Sequence, residues 1–556
     1  MQSQKLHIVT EDEKSNKSNI YLINDIVVLP ETRVVKKQIR NIRTEKSPAP
    51  EKKALIAEQC IKHLKKYAQF AVDTGASGNA GLICLQTGDI YPISKKNELL
   101  SAFMHENYGI GSASGEYRYL LSVLSHACFT NIETTIYKHF HYEKKMGMLL
   151  LPMNKRTLVS CTEEVAVHLP NGTGGFFIKP FATFSEFNYY SNVEGEAGAN
   201  IFEYLFANLN CSDKANWCLN KAEAAFLLEI IFYFIPFTNS MATRIILIIH
   251  GAKGSGKSSL LKRIGIAHFG PKFSLSLMPR SRRDLETEFE NNIFCCFDNV
   301  DRDLRKSQRD ALAAISTGSG FRARKLYSDS HQISYTPRPL IAITTRNPAF
   351  SADDDDIVNR AIIINLETLQ TVIPENQLIA EIERNRDAIL SEMVNKMPAV
   401  ISALKNDTPP MADKSFRMAD FATFAYKSAF AIFRERLSDE EISETLNIVF
   451  FKISAAQRAY LTSDPLHHVV DEYVARITKA GQLQKSTSDL FNDLLLLDKI
   501  CKFGFAKVCQ NVISFGKLMR NNEAVFAERY GYSRTTVTGN KTQHTFTGMK
   551  LEPLKI

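Results

Sequence analysis

The chain has 556 residues, 44% of them hydrophobic and 23% charged, with a formal net charge of +8. That length exceeds one hydrophobic core and divides into roughly three or four domain-sized units. The composition excludes a wholly disordered chain, and ten cysteines without CxxC pairs or nearby Cys/His partners argue against a zinc site or a disulfide framework.

Residues 1–50 mix charges with Ser and Asn, run into the linker-like SPAPEKK and show no sustained period, so they are expected to be flexible. The opening MQSQKLHIVTEDEKSNK lacks an apolar core behind a basic start and does not read as a secretory signal. Eleven Lys/Arg face three acidic residues between Arg33 and Lys66, and nine face three between Cys501 and Ile556. Such segments suit a polyanion such as nucleic acid, or simply a solvated surface.

From 51 to 205, a helical pattern over Ala54–Phe70 gives way to short alternating stretches, Gly147–Pro152 and Gly174–Pro180, as in an α+β domain. A helical stretch over Ile201–Phe237 follows, carrying the only tryptophan, Trp217, expected to be packed. Its most apolar part, Ala224–Phe237, is interrupted by Glu229 and broken at Pro236. It falls short of the ~20 residues of a membrane span and reads as a buried helix. A cytoplasmic protein without membrane association is expected.

Over 206–400, the apolar runs Ile245–Ile249, Ile293–Phe297, Leu340–Thr344 and Ala361–Asn365 alternate with helical segments. Strands buried on both faces belong to a parallel sheet covered by helices, so this part is expected to be an α/β core. A helical region, 401–500, and a basic segment, 501–556, complete the chain. No internal repeat is evident.

The first strand runs into Gly251, Ala252, Lys253, Gly254, Ser255, Gly256, Lys257, Ser258 and Ser259, and a helix follows. This is the phosphate-loop pattern GxxxxGK[ST] in the context it needs. Its glycines let successive N–H groups point at phosphates, with the positive end of the helix behind them. Lys257 is expected on the β and γ phosphates of ATP and Ser258 on Mg2+. Asp298, closing the second apolar strand, is expected to orient that magnesium. Asn299 follows, where many such ATPases carry a glutamate. An amide orients water but takes no proton, so Asp301 or a carboxylate from elsewhere is the base, or hydrolysis is slow. At the end of the next strand, Thr345 is the preferred contact to the γ-phosphate or water, ahead of Arg346 and Asn347. Arg360, before the last strand, can reach a neighbouring subunit's nucleotide or pair with the Asp353–Asp356 run.

The order of these parts resembles AAA+ ATPases. The segment TGSGFRARKLYSDSHQISYTPRPLIAITTRNP narrows the resemblance to helicases of plasmids, phages and mobile islands, close to superfamily 3 and to MCM-like proteins. That resemblance implies a hexameric ring with a β-hairpin aimed into its pore. Its strands would be Phe321–Tyr327 and Gln332–Thr336, with a turn at Ser328–Ser330, and Arg322, Arg324, Lys325 and His331 would touch DNA. It also covers SFRMADFATFA, where Arg417 and Asp420 read as a structural pair. It further implies a C-terminal winged helix for origin DNA, within Ile513–Phe546. The expected protein is therefore an ATP- and Mg2+-dependent DNA helicase or replication initiator, a homo-hexamer. The alternatives are a defence or signalling ring ATPase that never unwinds DNA, and an ATP-controlled DNA-binding module. No DxD-type carboxylate pair in a strand supports a primase in the first 200 residues.

Overall fold

The computed structural model describes residues 7–8, 21–23, 26–73, 80–85, 87–130, 134–180, 184–191, 205–206, 208–212, 217–301, 304–324, 332–346, 355–371, 373–406, 418–461, 465–477, 483–501, 505–537 and 541–547.

The expectation of a flexible segment over 1–50 fails from Ile26 onward. Helices Thr32–Thr44 and Ala49–Tyr67 run antiparallel, tied at one end by Lys66 to Glu31 (2.7 Å) and at the other by Lys52 Nζ to the Arg43 carbonyl (3.1 Å). Val35, Ile39 and Ile42 form a helical stripe inside a charged sequence. They share a core with Ile56, Cys60, Leu64, Phe103 and Leu124. The second helix ends at Tyr67, and Ala68–Asp73 is already a strand. It lies mid-way in a five-stranded mixed sheet ordered Phe176–Lys179, Thr134–Lys138, Ala68–Asp73, Ala80–Cys84, Ile90–Pro92. A four-stranded antiparallel sheet from His141 to Pro170 stands beside it.

The expected helical stretch over Ile201–Phe237 is broken at 208–212 and 217–220, and the long helix within it is shorter. It spans Lys221–Phe234, opened by a capping box between Asn220 and Glu223. By length and composition Lys221–Ser240 could cross a membrane, yet 78% of it is buried inside the protein. Phe226, Ile230, Phe234 and Phe237 are packed among Phe421, Phe424 and Phe433.

The central sheet is built from β1 (Ile246–Gly251), β2 (Ser276–Leu277), β3 (Phe294–Asp298), β4 (Leu340–Thr345) and β5 (Ala361–Leu366). Helices α1 (Lys257–Phe269), α2 (Arg282–Asn291) and α3 (Lys306–Ser316) cross between them. Every pairing is parallel and the order is β2-β3-β4-β1-β5. Unbroken apolar strands buried on both faces give this arrangement. The two-residue β2 carried no apolar run and was not foreseen.

Three long helices follow: α4 (Glu375–Lys405), α5 (Ala419–Phe433) and α6 (Asp439–Leu461). α4 runs through the expected boundary at 400. Its buried Arg386 donates to the carbonyls of Glu186, Ser185 and His268 at 2.9, 3.0 and 3.1 Å, joining three segments. Asp420 on α5 accepts from Thr243 N and Oγ1 at 2.7 and 2.6 Å, tying α5 to the entrance of β1. Arg417, its expected partner, lies outside the described residues.

The C-terminal unit starts at Pro465, not 501. α7 (Pro465–Ile477), β6 (Leu483–Ser486), α8 (Thr487–Cys501), α9 (Val512–Asn521), α10 (Glu523–Tyr530), β7 (Ser533–Val537) and β8 (Lys541–Phe546) share one core from Leu466 to Phe546. β6 pairs with β8, so the sheet order is β6-β8-β7 and the expected boundary would cut the unit at the end of α8.

Candidate nucleotide site and hairpin

The loop leaving β1 is shaped by close backbone approach. A Cβ on Gly251 would lie 2.3 Å from the Leu366 carbonyl oxygen at the end of β5, so no side chain fits there. Gly254 and Gly256 both have φ of 80°, a left-handed conformation open to glycine at little cost. α1 begins at Lys257 with no side chain capping it, leaving its first N–H groups directed at the loop as an anion site.

Lys257 is buried. Its ammonium donates to the carbonyls of Gly251 and Ala252 at 2.7 and 2.8 Å and to Ser255 Oγ at 3.3 Å. Burial and the nearby Arg346 charge lower its pKa, against the pull of Asp301 and Asp298. A cleft of about 570 Å3 opens over the loop, lined by Lys253 to Ser259 together with Asn299, Arg346 and Glu375. The Ser259 hydroxyl is buried and has no hydrogen-bond partner among the described residues.

Ser258 Oγ donates to Asp298 Oδ1 at 2.6 Å across 40 residues of sequence. Thr344 Oγ1 donates to the same oxygen at 2.5 Å, and Asn299 Nδ2 donates to Oδ2 at 3.1 Å. A hydroxyl and a carboxylate side by side at the C-terminal edge of a parallel sheet are hard oxygen donors, and they fit Mg2+. Asn299 sits at φ 53° with its N–H bonded to Thr344 Oγ1 at 2.9 Å. It stands at the cleft, where the sequence placed it.

Thr345 does not line the cleft. It is fully buried, with its hydroxyl 3.5 Å from Asp301 Oδ1. Arg346 takes the position instead, half exposed, with Nε on Asp301 Oδ2 and its N–H on Oδ1, both at 2.6 Å. Burial raises the Asp301 carboxyl, but the Arg346 bonds and the Lys257 charge outweigh it and the net shift is downward. Thr344 was overlooked. Its signal is alternation along TTR, which sends successive side chains of a strand to opposite faces.

Arg360 lies at the start of β5, its carbonyl accepting from Ile246 N at 3.0 Å. That is the end of the sheet away from its own phosphate loop, ~20 Å off at a strand's rise of about 3.3 Å per residue. Its guanidinium bonds Asp356, 3.3 Å from the carboxylate and closer to the carbonyl. The pairing with the acidic run is thus formed within the single chain.

Before β4 the chain makes the expected hairpin, with Phe321–Arg324 antiparallel to Gln332–Tyr335. Arg322 stands opposite Ser334 and Arg324 opposite Gln332 in register. Lys325, His331 and the turn lie outside the described residues.

No family model matches the chain, and no curated protein matches it. Among solved structures it is similar to the apo NrS-1 C-terminal region, with 14% identity over 87% of this chain and 97% of that one, at a TM-score of 0.39. It is also similar to the SCCmec type IV Cch active helicase, with 13% identity over 87% and 93% at a TM-score of 0.45. JCV helicase matches 47% of this chain and 67% of its own at 14% identity and a TM-score of 0.19. These likenesses are low, and the reading of the site rests on its own geometry.

Proposed function

We propose that this chain is an ATP-driven DNA helicase and replication initiator of a mobile genetic element, acting in the cytoplasm as a homo-hexameric ring with an AAA+ core. The observation that carries the reading is the convergence of Lys257, Ser258 and Asp298 at the carboxyl end of β1 and β3. It is joined by a hairpin inserted directly before β4, where the resemblance to superfamily 3 and MCM-like helicases places the pore element.

In this reading Lys257 exchanges the carbonyls of Gly251 and Ala252 for phosphate oxygens, and Ser258 and Asp298 hold Mg2+. Magnesium, when bound, neutralises charge on the β and γ phosphates. Thr344 fixes the Asp298 carboxylate. Asn299 orients the attacking water, and Asp301 is the carboxylate at hand to take its proton once Arg346 turns to the phosphate. Arg360, too far from its own loop, serves the nucleotide of the next subunit. The hairpin carrying Arg322, Arg324, Lys325 and His331 moves along one DNA strand. The C-terminal unit is a winged helix in which α9 reads duplex DNA through exposed Ile513, Lys517, Arg520 and Asn521, and β7–β8 is the wing.

ATP turnover with and without single-stranded DNA, beside unwinding of a forked duplex and with Lys257→Ala as control, tests this. One observation favours a second reading, a defence or signalling ring that assembles without unwinding. Asn299 cannot accept a proton, and Asp301 is engaged by Arg346. Turnover indifferent to DNA, without strand separation, supports that reading.

A further inference from the structure

We propose that the antiparallel helix pair from Thr32 to Tyr67 is a second DNA-docking surface, gripping the phosphate backbone of duplex DNA without reading its sequence. The proposal rests on the reading of the chain as a DNA-handling protein.

The first helix carries Arg33, Lys36, Lys37, Arg40 and Arg43 and no acidic residue at all. Since Val35, Ile39 and Ile42 face the core, the helical period turns Arg33, Lys37 and Arg40 outward, and all three are exposed. At 1.5 Å per residue the stripe is about 10 Å long.

Among the described residues, nothing in the chain neutralises the stripe. Arg33 stands in the first turn, where the positive end of the helix disfavours a cation, and no acidic residue offsets it there. Two carboxylates beside the helix are already engaged, Glu31 by Lys66 at 2.7 Å and Glu116 by Arg43 at 2.5 Å, and the third, Glu45, lies at the C-terminal end beyond the stripe. Arg33, Lys37 and Arg40 form no ion pair among the described residues. The neighbouring helix adds Lys52, Lys53, Lys62, Lys65 and Lys66 against Glu51 and Glu58, and the Glu31–Lys66 bond brings its exposed Lys62–Lys66 end to the Arg33 end of the stripe. A self-repelling row of cations is relieved by an external polyanion.

The kind of polyanion follows from what the helix lacks. Thr32–Thr44 contains no aromatic residue on which an unpaired base could stack, the usual device for single strands, and Tyr67 at the end of the second helix is half-buried with its ring against His63. Evenly spaced Arg and Lys with Gln38 and Asn41 between them suit duplex phosphates.

The test uses the full chain without nucleotide and a random-sequence 30-base-pair duplex, roughly three helical turns long, followed by fluorescence anisotropy across a salt series. The variant is Arg33→Glu/Lys37→Glu/Arg40→Glu, with the milder Arg33→Gln/Lys37→Gln/Arg40→Gln as a second in case charge reversal impairs folding. Wild type is expected to bind with log K falling against log salt. Loss of three phosphate contacts should make that slope shallower by about 2.7, at about 0.9 per contact. Duplex affinity at low salt should drop at least tenfold, with basal ATP turnover unchanged. Equal affinity and slope in both variants overturn the proposal. So does a loss confined to an oligo-dT single strand, or capture of wild type by phosphatidylserine vesicles through these residues with no effect on duplex. A wild-type chain that binds neither DNA overturns the helicase reading itself, a different failure.

Discussion

Arg346 holds Asp301 by two bonds of 2.6 Å, one from its backbone N–H and one from Nε, at the rim of the cleft that Lys257 and Ser258 line. The pair sets a basic side chain able to swing onto a γ-phosphate against a carboxylate able to replace the glutamate that Asn299 displaces. Asp301→Asn should therefore lower kcat by about 10²- to 10⁴-fold, the range of general-base catalysis, with nucleotide affinity little changed. Asn299→Glu should recover part of that loss in the Asp301→Asn background, though a glutamate at φ 53° carries strain of about 1 kcal/mol or more. Full turnover in Asp301→Asn would rule Asp301 out as the base.

Ser258 and Thr344 both donate to Asp298 Oδ1, at 2.6 and 2.5 Å. In the proposed reading Ser258→Ala removes a metal donor, whereas Thr344→Val removes the bond that orients the carboxylate and the one that Thr344 Oγ1 accepts from Asn299 N–H. The expected outcome is a large rise in the Mg2+ needed for half-maximal turnover in Ser258→Ala and a smaller one, about 10-fold, in Thr344→Val, as for residues that support metal ligands. A magnesium titration of each variant reads this directly, and identical curves for all three proteins would contradict the assignment.

Arg360 stands at the far end of β5 from its own phosphate loop. Arg360→Ala should bind nucleotide normally but lose about 10³-fold or more in turnover. Mixed with Lys257→Ala it should regain activity, because a subunit defective only in its own loop still lends its arginine to a neighbour. If mixtures of the two dead proteins stay dead at every ratio while still assembling, the arginine does not act between subunits.

His544 is buried in the C-terminal unit, between Thr487 Oγ1 at 2.9 Å and Tyr532 Oη at 2.5 Å, and burial with the nearby Arg534 charge pushes its pKa down to about 4. The unfolded chain takes that proton near pH 6.5, so the folded unit is fully stabilised above pH 6.5 and loses stability as pH falls towards 4. The loss is on the order of 3 kcal/mol, at about 1.4 per unit. Limited proteolysis should release a C-terminal fragment at pH 5 and not at pH 7.5. Unchanged resistance between those two values would refute it.

The candidate nucleotide site was legible because glycine, lysine and a hydroxyl at fixed spacing have few other uses after a buried strand. The four long apolar strands were legible for a similar reason: continuous burial leaves no polar face to confuse the period. Thr344 and Arg346 were misjudged in favour of Thr345 because neighbouring strand residues point to opposite faces, and the sequence does not say which face meets the cleft. The helix Thr32–Thr44 was read as a tail because five cations mask a stripe of only three apolar residues, Val35, Ile39 and Ile42. The start of the C-terminal unit was missed because β6 is a four-residue strand, LQKS, whose partner β8 lies more than fifty residues later.

In the proposed function, ATP hydrolysis at Lys257, Ser258 and Asp298 drives strand separation. The most direct measurement is ATP turnover with and without single-stranded DNA beside unwinding of a forked duplex, for wild type and Lys257→Ala. Turnover stimulated by DNA and unwinding that requires ATP are expected, both lost in Lys257→Ala. Turnover that ignores DNA, with the fork left intact, would contradict it.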